Sequence, residues 1–241
     1  MDDQTQDTFF DGRITMFQPA SGYRFSLDAV IAANTAAGCK AFRALDIGTG
    51  CGILPIVMAY RNPEISVIHG IEIQEELAEL ARKNVSVNHM DPRIRIHTKD
   101  IQQVTTRDVG GPVDLIACNP PHYEARAGRI NPESQKALAR HEIALPLERL
   151  VSAASRLLVS GGGFLVIYPA SRLVDIVWNM RNTGIEPKWI RFIHSAPDRP
   201  ANKVLVKGVK DGGAGTAVVS PLYVADGDGR YTAEMKAMFD P

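Results

Sequence analysis

Apolar positions along this chain of 241 residues recur with two periods that alternate. Short apolar runs at residues 44–47, 66–73, 93–97, 113–118 and 164–168 have the length and β-branched content of buried strands. Between them, residues 53–61, 74–88, about 141–159 and 171–182 carry apolar side chains at helical spacing. In the third of these helices Leu147, Leu150, Val151, Ala154, Leu157 and Leu158 make one stripe, and Gly161, Gly162 and Gly163 read as its end. Gly184 marks the stop of the fourth. A further helix is predicted over residues 22–37, opened by the turn-forming Gly22 and Tyr23 and capped by Ser26 or Asp28.

Alternation of strands with helices is the βαβ rhythm of a parallel sheet covered on both faces. The last two strand candidates, residues 186–194 and 203–209, are joined by about eight residues, too few for a crossover helix, so they must pair antiparallel. The fold class expected is therefore α/β: one doubly wound, Rossmann-like domain over residues 1–241, with a seven-stranded, mostly parallel sheet and an antiparallel pair at one edge. Residues 1–20 are expected to be a loose, flexible start.

Composition narrows the setting. Twenty-seven basic residues balance twenty-seven acidic ones, so any affinity for nucleic acid must come from local clustering. The three cysteines, Cys39, Cys51 and Cys118, offer neither an even number nor a C-x-x-C pair, which argues for a reducing compartment and against a disulfide framework or zinc site. Asp2, Asp3, Asp7 and Asp11 stand where a secretory signal would be basic, and no run approaches the roughly 18 apolar residues of a membrane helix. A cytoplasmic protein without a membrane partner is expected.

Candidate chemistry begins after the first predicted strand, where Asp46 precedes Gly48, Gly50 and Gly52. Glycines in a strand-to-helix turn let the backbone bend tightly and let a ligand approach the main chain. A dinucleotide fingerprint would need a glycine where Ile53 stands, which disfavours a nicotinamide or flavin cofactor. A carboxylate in front of the glycines would repel a pyrophosphate but hold a cationic, amino-acid-bearing ligand. Glu72, at the end of the second strand, is placed to accept two ribose hydroxyls, and Asp100, after the third, to accept from an adenine amine. Each acid alone reads as a helix cap or a solvated group; three at successive strand ends describe S-adenosylmethionine.

The fourth strand runs into Asn119, Pro120, Pro121, His122 and Tyr123. Two prolines remove backbone donors and stiffen the turn, leaving the Asn119 amide and nearby carbonyls for a ligand. An amine conjugated with a ring is a poor nucleophile. Accepting both its hydrogens, at the Asn119 side-chain oxygen and the Pro120 carbonyl, turns its lone pair towards an electrophilic methyl, a catalysis of positioning that needs no metal. His122 or Tyr123 is the ring that would stack on an extruded base. The plain alternative is a rigid loop that ends a strand.

This series, Asp46 with Gly48, Gly50 and Gly52, then Glu72, Asp100 and Asn119 with Pro120 and Pro121, resembles the class I methyltransferases that modify amino groups. Within them the chain is most similar to the family that methylates the exocyclic amine of the adenosine next to the anticodon of valine tRNA. Gln18, residues 22–29, residues 139–142, residues 199–206 and the closing residues 228–234 carry that likeness. The resemblance implies the class I methyltransferase fold, S-adenosylmethionine as cofactor, tRNA as substrate, and Arg24 and Asp28 over the cofactor pocket. The family's aromatic after the second proline is replaced by His122, with Tyr123 one place later.

Lys188, Arg191, Arg199, Lys203, Lys207 and Lys210 against Glu186 and Asp198, with Arg126, Arg129, Lys136 and Arg140 after the proline turn, form clusters that can follow a phosphate backbone. Lysines guarding a sheet edge are the alternative. His69, His89, His97 and His194 lack ligand-like spacing, and Leu145 interrupts any metal motif after His141 and Glu142, so no metal is expected. Rival functions are the same chemistry on a guanine amine of ribosomal RNA or a glutamine side chain of a protein, and, from a different class, an RNA-binding module without turnover.

Overall fold

A computed structural model describes residues 4–20, 24–120 and 146–241. The chain opens with β1 (Gln4–Phe9) and β2 (Ile14–Pro19), then α1 (Leu27–Ala37), β3 (Arg43–Ile47), α2 (Ile53–Arg61), β4 (Val67–Glu72), α3 (Glu75–Val87), β5 (Ile94–Thr98) and β6 (Val113–Cys118). It continues with α4 (Leu147–Leu157), β7 (Leu158–Pro169), α5 (Leu173–Asn182), β8 (Ile185–His194), β9 (Ala201–Lys210), the short β10 (Ala217–Val218) and β11 (Leu222–Tyr223), and α6 (Ala233–Ala237).

The long strands lie in the order β8–β9–β7–β6–β3–β4–β5. From β7 to β5 all neighbours are parallel, whereas β9 runs antiparallel between β7 and β8, as the short β8–β9 link requires. Parallel strands buried on both faces are largely apolar, and apart from Arg43, Asp46 and Asp114 so are β3 and β6: Ala44, Leu115 and Ala117 face one layer, Leu45, Ile47 and Ile116 the other. The first layer holds α1, α2 and part of α3; the second holds α4, α5 and the 3₁₀ turn Ile101–Gln103. Among the described residues no helix is long and apolar enough to cross a membrane.

Four expectations are corrected. The start is not loose: β1 and β2 form an antiparallel hairpin, with Phe10, Ile14 and Met16 buried in the first layer and a tight loop at Phe10, Asp11 and Gly12 with φ of 53°, 53° and 81°. Alternate positions of β2 are buried, a period of two that the flanking aspartates obscure. The triple glycine does not end a helix. Helix α4 stops at Leu157, and Gly161, Gly162 and Gly163 lie inside β7, where a Cβ on Gly162 would stand 2.9 Å from the Val159 carbonyl oxygen and 3.2 Å from that of Asp114. Residues 141–145 lie outside the described residues. The sheet is nine-stranded rather than seven-stranded among the described residues, because β10 and β11 add in parallel to the free side of β8. The helix expected from residue 171 begins at Leu173, preceded by a 3₁₀ turn.

Candidate active site

In a parallel sheet the carboxyl ends of the strands form one edge, and ligands bind there. The order β6–β3–β4–β5 brings Asn119, the Gly48–Gly52 turn, Glu72 and Asp100 to that edge side by side. The register pairs Ile47 with Cys118 and with Ile71, and Glu72 with Thr98.

The turn after β3 is held by its neighbour. Gly48 and Thr49 donate their N–H groups to the Ile71 carbonyl at 2.9 and 3.0 Å. Gly52 has φ of 88°, a left-handed conformation that favours glycine, and a Cβ there would stand 3.2 Å from the Cβ of Ala81 on α3. The Glu72 carboxylate closes the frame: Oε2 accepts from the Gly50 amide at 2.9 Å, and Oε1 from the amides of Ile73 and Gln74 at 3.0 Å each.

Inside this frame lies a small cavity lined by Ala29, Asp46, Gly48, Thr49, Ile53, Leu54 and Asn119. Asp46 is buried, and neither of its carboxylate oxygens has a hydrogen-bond partner. Burial pushes its pKa up to about 7; the nearby Thr49 hydroxyl opposes the rise and the Glu72 charge adds to it. Thr49 Oγ1 and Asn119 Oδ1 are also buried without partners. A buried polar atom left unpaired costs about 1–3 kcal/mol, so a cluster of them around one cavity marks a site shaped for something that brings hydrogen-bond donors.

The methyltransferase small domain model matches residues 29–175, which carry the cavity and every strand around it. The chain belongs to the methyltransferase small-domain family. A relative from Porphyromonas gingivalis (strain ATCC 33277), named tRNA1(Val) (adenine(37)-N6)-methyltransferase, is 36% identical over 205 residues, 83% of this chain and 79% of the relative. One from Proteus mirabilis with the same name is 29% identical over 216 residues, 87% of this chain and 83% of its own. Among solved structures, a protein of Agrobacterium tumefaciens described as a predicted O-methyltransferase superposes with a TM-score of 0.70 at 22% identity, covering 88% of this chain and 94% of that one. The class I methyltransferase fold is thereby established.

Methyltransferases of this fold draw their methyl group from S-adenosylmethionine, and the residues that line the small cavity suit part of that donor. Unpaired acceptors at Asp46 suit an ammonium group, and the apolar Ala29, Ile53 and Leu54 suit carbon surface. The other expected contacts are more occupied than the sequence suggested. Glu72 is committed to three backbone amides: Oε1 accepts two of them, and Oε2, which accepts one, keeps a second lone pair. Asp100 caps the 3₁₀ turn by accepting from the Gln102 amide at 2.9 Å. Arg24, exposed, donates to Thr5 Oγ1 at 2.6 Å and pairs with Asp7 at 3.3 Å, and Asp28 pairs with the buried Lys203 at 3.2 Å. Pro120 is buried at the end of the strand. Pro121, His122 and Tyr123, with Arg126, Arg129, Lys136 and Arg140, lie outside the described residues.

Buried thiols flank the turns without being reactive. Burial drives the Cys51 thiol up to about 12 and Cys118 well above its ordinary value, and Cys118 donates to the Ile47 carbonyl at 3.2 Å. The basic run of β8 and β9 is mostly consumed within the protein. Lys188 donates to the Gly213 carbonyl at 2.6 Å, Arg191 grips Glu234 at 2.6 and 2.7 Å, Lys210 donates to the Leu158 carbonyl at 2.9 Å, and Lys203 pairs with Asp28. Of the residues the sequence left unmarked, Thr49 was signalled by its place between glycines, whereas Asn84 had no signal beyond being polar in the last turn of an amphipathic helix.

Proposed function

We propose that this protein transfers a methyl group from S-adenosylmethionine to the exocyclic N6 amine of an adenine in tRNA, the adenosine next to the anticodon of valine tRNA. The observation that carries the reading is the buried, unpartnered Asn119 Oδ1 on the wall of the cavity that also holds Asp46. The names of the relatives, which match over most of the chain, support the acceptor.

When bound, S-adenosylmethionine supplies an electrophilic methyl carbon on a positively charged sulfur. Asp46 accepts hydrogen bonds from the donor's ammonium, and Thr49 Oγ1 lies in the same wall. Asn119 Oδ1 and the Pro120 carbonyl accept the two amine hydrogens, so that the nitrogen lone pair leaves the ring plane and faces the methyl carbon. As the nitrogen–carbon bond forms, the carbon–sulfur bond would break with its electron pair left on sulfur, S-adenosylhomocysteine would depart, and the nitrogen would release a proton to solvent, which needs no strong base because the nitrogen becomes acidic as its new bond forms. The Gly48–Gly52 turn, pinned by Glu72, lets the main chain come close to the donor. Glu72 and Asp100, through their remaining lone pairs, hold the adenosyl group, with Arg24 and Asp28 at the pocket's edge. The ring that stacks on the base comes from His122 or Tyr123.

The test is mass spectrometry of nucleosides from unmodified total tRNA incubated with the purified protein and labelled S-adenosylmethionine. Labelled N6-methyladenosine from valine tRNA is the expected product. Label in a guanine of ribosomal RNA or in protein would replace the acceptor, and RNA binding without any label would replace the enzyme reading.

A further inference from the structure

Asn84 stands in the last turn of α3, fully buried, and joins two parts of the fold that are far apart in sequence. Its Oδ1 accepts from the Phe17 amide at 2.8 Å, and its Nδ2 donates to the Phe17 carbonyl at 2.8 Å and to the Cys51 carbonyl at 2.8 Å. Asn88, one turn on, treats Thr15 the same way, accepting from its amide at 2.9 Å and donating to its carbonyl at 2.7 Å. Two side-chain amides thus replace a third strand beside the hairpin. The fit is metric: four helical residues rise about 6 Å and two strand residues about 6.6 Å, so amides at positions i and i+4 meet alternate residues of β2.

The two asparagines differ in one contact. Asn88 Nδ2 spends its second bond on the Asn84 carbonyl at 2.7 Å, within α3, whereas Asn84 reaches Cys51, between Gly50 and Gly52 of the turn. Helix α3 presses on that turn a second time through Ala81 against Gly52. The hairpin in turn holds the segment that leads into α1 and the cavity. Gln18 accepts from the Phe25 amide at 3.0 Å, and Thr5, Asp7 and the Pro19 carbonyl hold Arg24, five residues before Ala29 of the cavity wall.

We propose that Asn84 is a positioning residue that couples docking of the N-terminal hairpin to the shape of the glycine turn, so that hairpin docking and methyl-donor binding strengthen each other. This rests on the reading that the turn holds S-adenosylmethionine. Such coupling is reciprocal: if the docked hairpin favours the donor, the donor must favour the docked hairpin.

The experiment compares hydrogen exchange at the Phe17 and Thr15 amides with and without S-adenosylhomocysteine, and measures that ligand's Kd, in the wild type, Asn84→Ala and Asn88→Ala. In the wild type the ligand slows exchange at Phe17. Asn84→Ala raises the Kd about tenfold or more, as expected when a buried carbonyl loses its donor, and abolishes the slowing. Asn88→Ala speeds exchange at Thr15 and raises the Kd clearly less than Asn84→Ala, because it loosens the hairpin without breaking a contact to the turn. If Asn84→Ala does not fold, Asn84→Ser, which keeps a hydroxyl and leaves a smaller void, carries the same comparison. An unchanged Kd in the folded Asn84 variant, an equal rise in both variants, or exchange at Phe17 indifferent to the ligand in the wild type would overturn the coupling. Failure of the wild type to bind S-adenosylhomocysteine would instead overturn the donor assignment, and the coupling with it.

Discussion

The Glu72 carboxylate accepts the Gly50 N–H at 2.9 Å, tying the end of β4 to the middle of the glycine turn that follows β3. An acid that sequence position marks as a ligand group is therefore first a support of the loop that faces the ligand. Its other oxygen accepts from two further amides, so the carboxylate organises the first residues of α3 as well. Charge-assisted bonds of this kind are worth about 1.5–3 kcal/mol each when buried.

Glu72→Ala leaves three backbone amides without their acceptor, and we expect a loss of about 2–4 kcal/mol of stability with weakened donor affinity. Urea unfolding with and without S-adenosylhomocysteine checks both. Glu72→Gln retains one acceptor oxygen and should lie between the wild type and the alanine variant. Equal stability of all three would show that the carboxylate does not hold the turn.

Asn119 stands differently, because its Oδ1 has no partner among the described residues and so supports nothing in the fold. Asn119→Ala should therefore keep the melting temperature and the S-adenosylhomocysteine affinity close to wild type while lowering kcat about 10²–10³-fold, the range for removing one transition-state contact. Single-turnover methylation of tRNA at saturating donor gives the number. A variant that turns over normally would remove Asn119 from the chemistry.

What the sequence made legible is what local patterning controls. Strands β3 to β9 carry their own apolar runs, the turn carries its glycines, and Asp46 and Asn119 are placed at strand ends by those runs alone. The hairpin was illegible because its order comes from Asn84 and Asn88, some seventy residues away. The triple glycine misled because helix stops and close strand packing both call for glycine, and only the Asp114 carbonyl against Gly162 decides between them. The acids are legible only in part because a cap or a turn support and a ligand contact look alike in a sequence: Asp100 caps a 3₁₀ turn and Glu72 supports the glycine turn, roles that their positions alone do not separate from ligand binding.

The basic run of β8 and β9 divides by the same reasoning. Lys188 and Lys210 lie near the far ends of those strands and are bonded to carbonyls, whereas Arg199 lies in the β8–β9 loop, on the edge shared with Asn119. Arg199 is exposed, its nearest acid being Asp198 at 3.8 Å. Arg199→Ala should weaken tRNA binding and reduce the slope of log K against log salt by about 1, the signature of one lost phosphate contact. Lys188→Ala should leave that slope unchanged and instead loosen residues 211–216, seen as faster hydrogen exchange there. The reverse outcome would put the RNA on the opposite edge.

Asp46 gives the protein a pH dependence with a definite sign. Its pKa is raised by burial from 3.8 to about 7, so between those values the folded state binds more protons at this position than the unfolded state does. Stability from this group therefore falls as pH rises from about 4 to 7, with the full penalty, on the order of a few kcal/mol, present above that range. Asp46→Asn removes the titration, so the ligand-free variant should gain stability relative to the wild type at pH 8 and little at pH 4, as measured by urea unfolding across pH. An ammonium group brought against the carboxylate lowers its pKa again, so binding of S-adenosylhomocysteine near pH 6.5 must release protons. Calorimetry in buffers of differing ionisation enthalpy reads that release directly, and it should be absent in Asp46→Asn. Binding without proton release in the wild type would mean that the ligand's cation rests elsewhere and that the unpaired carboxylate serves another donor.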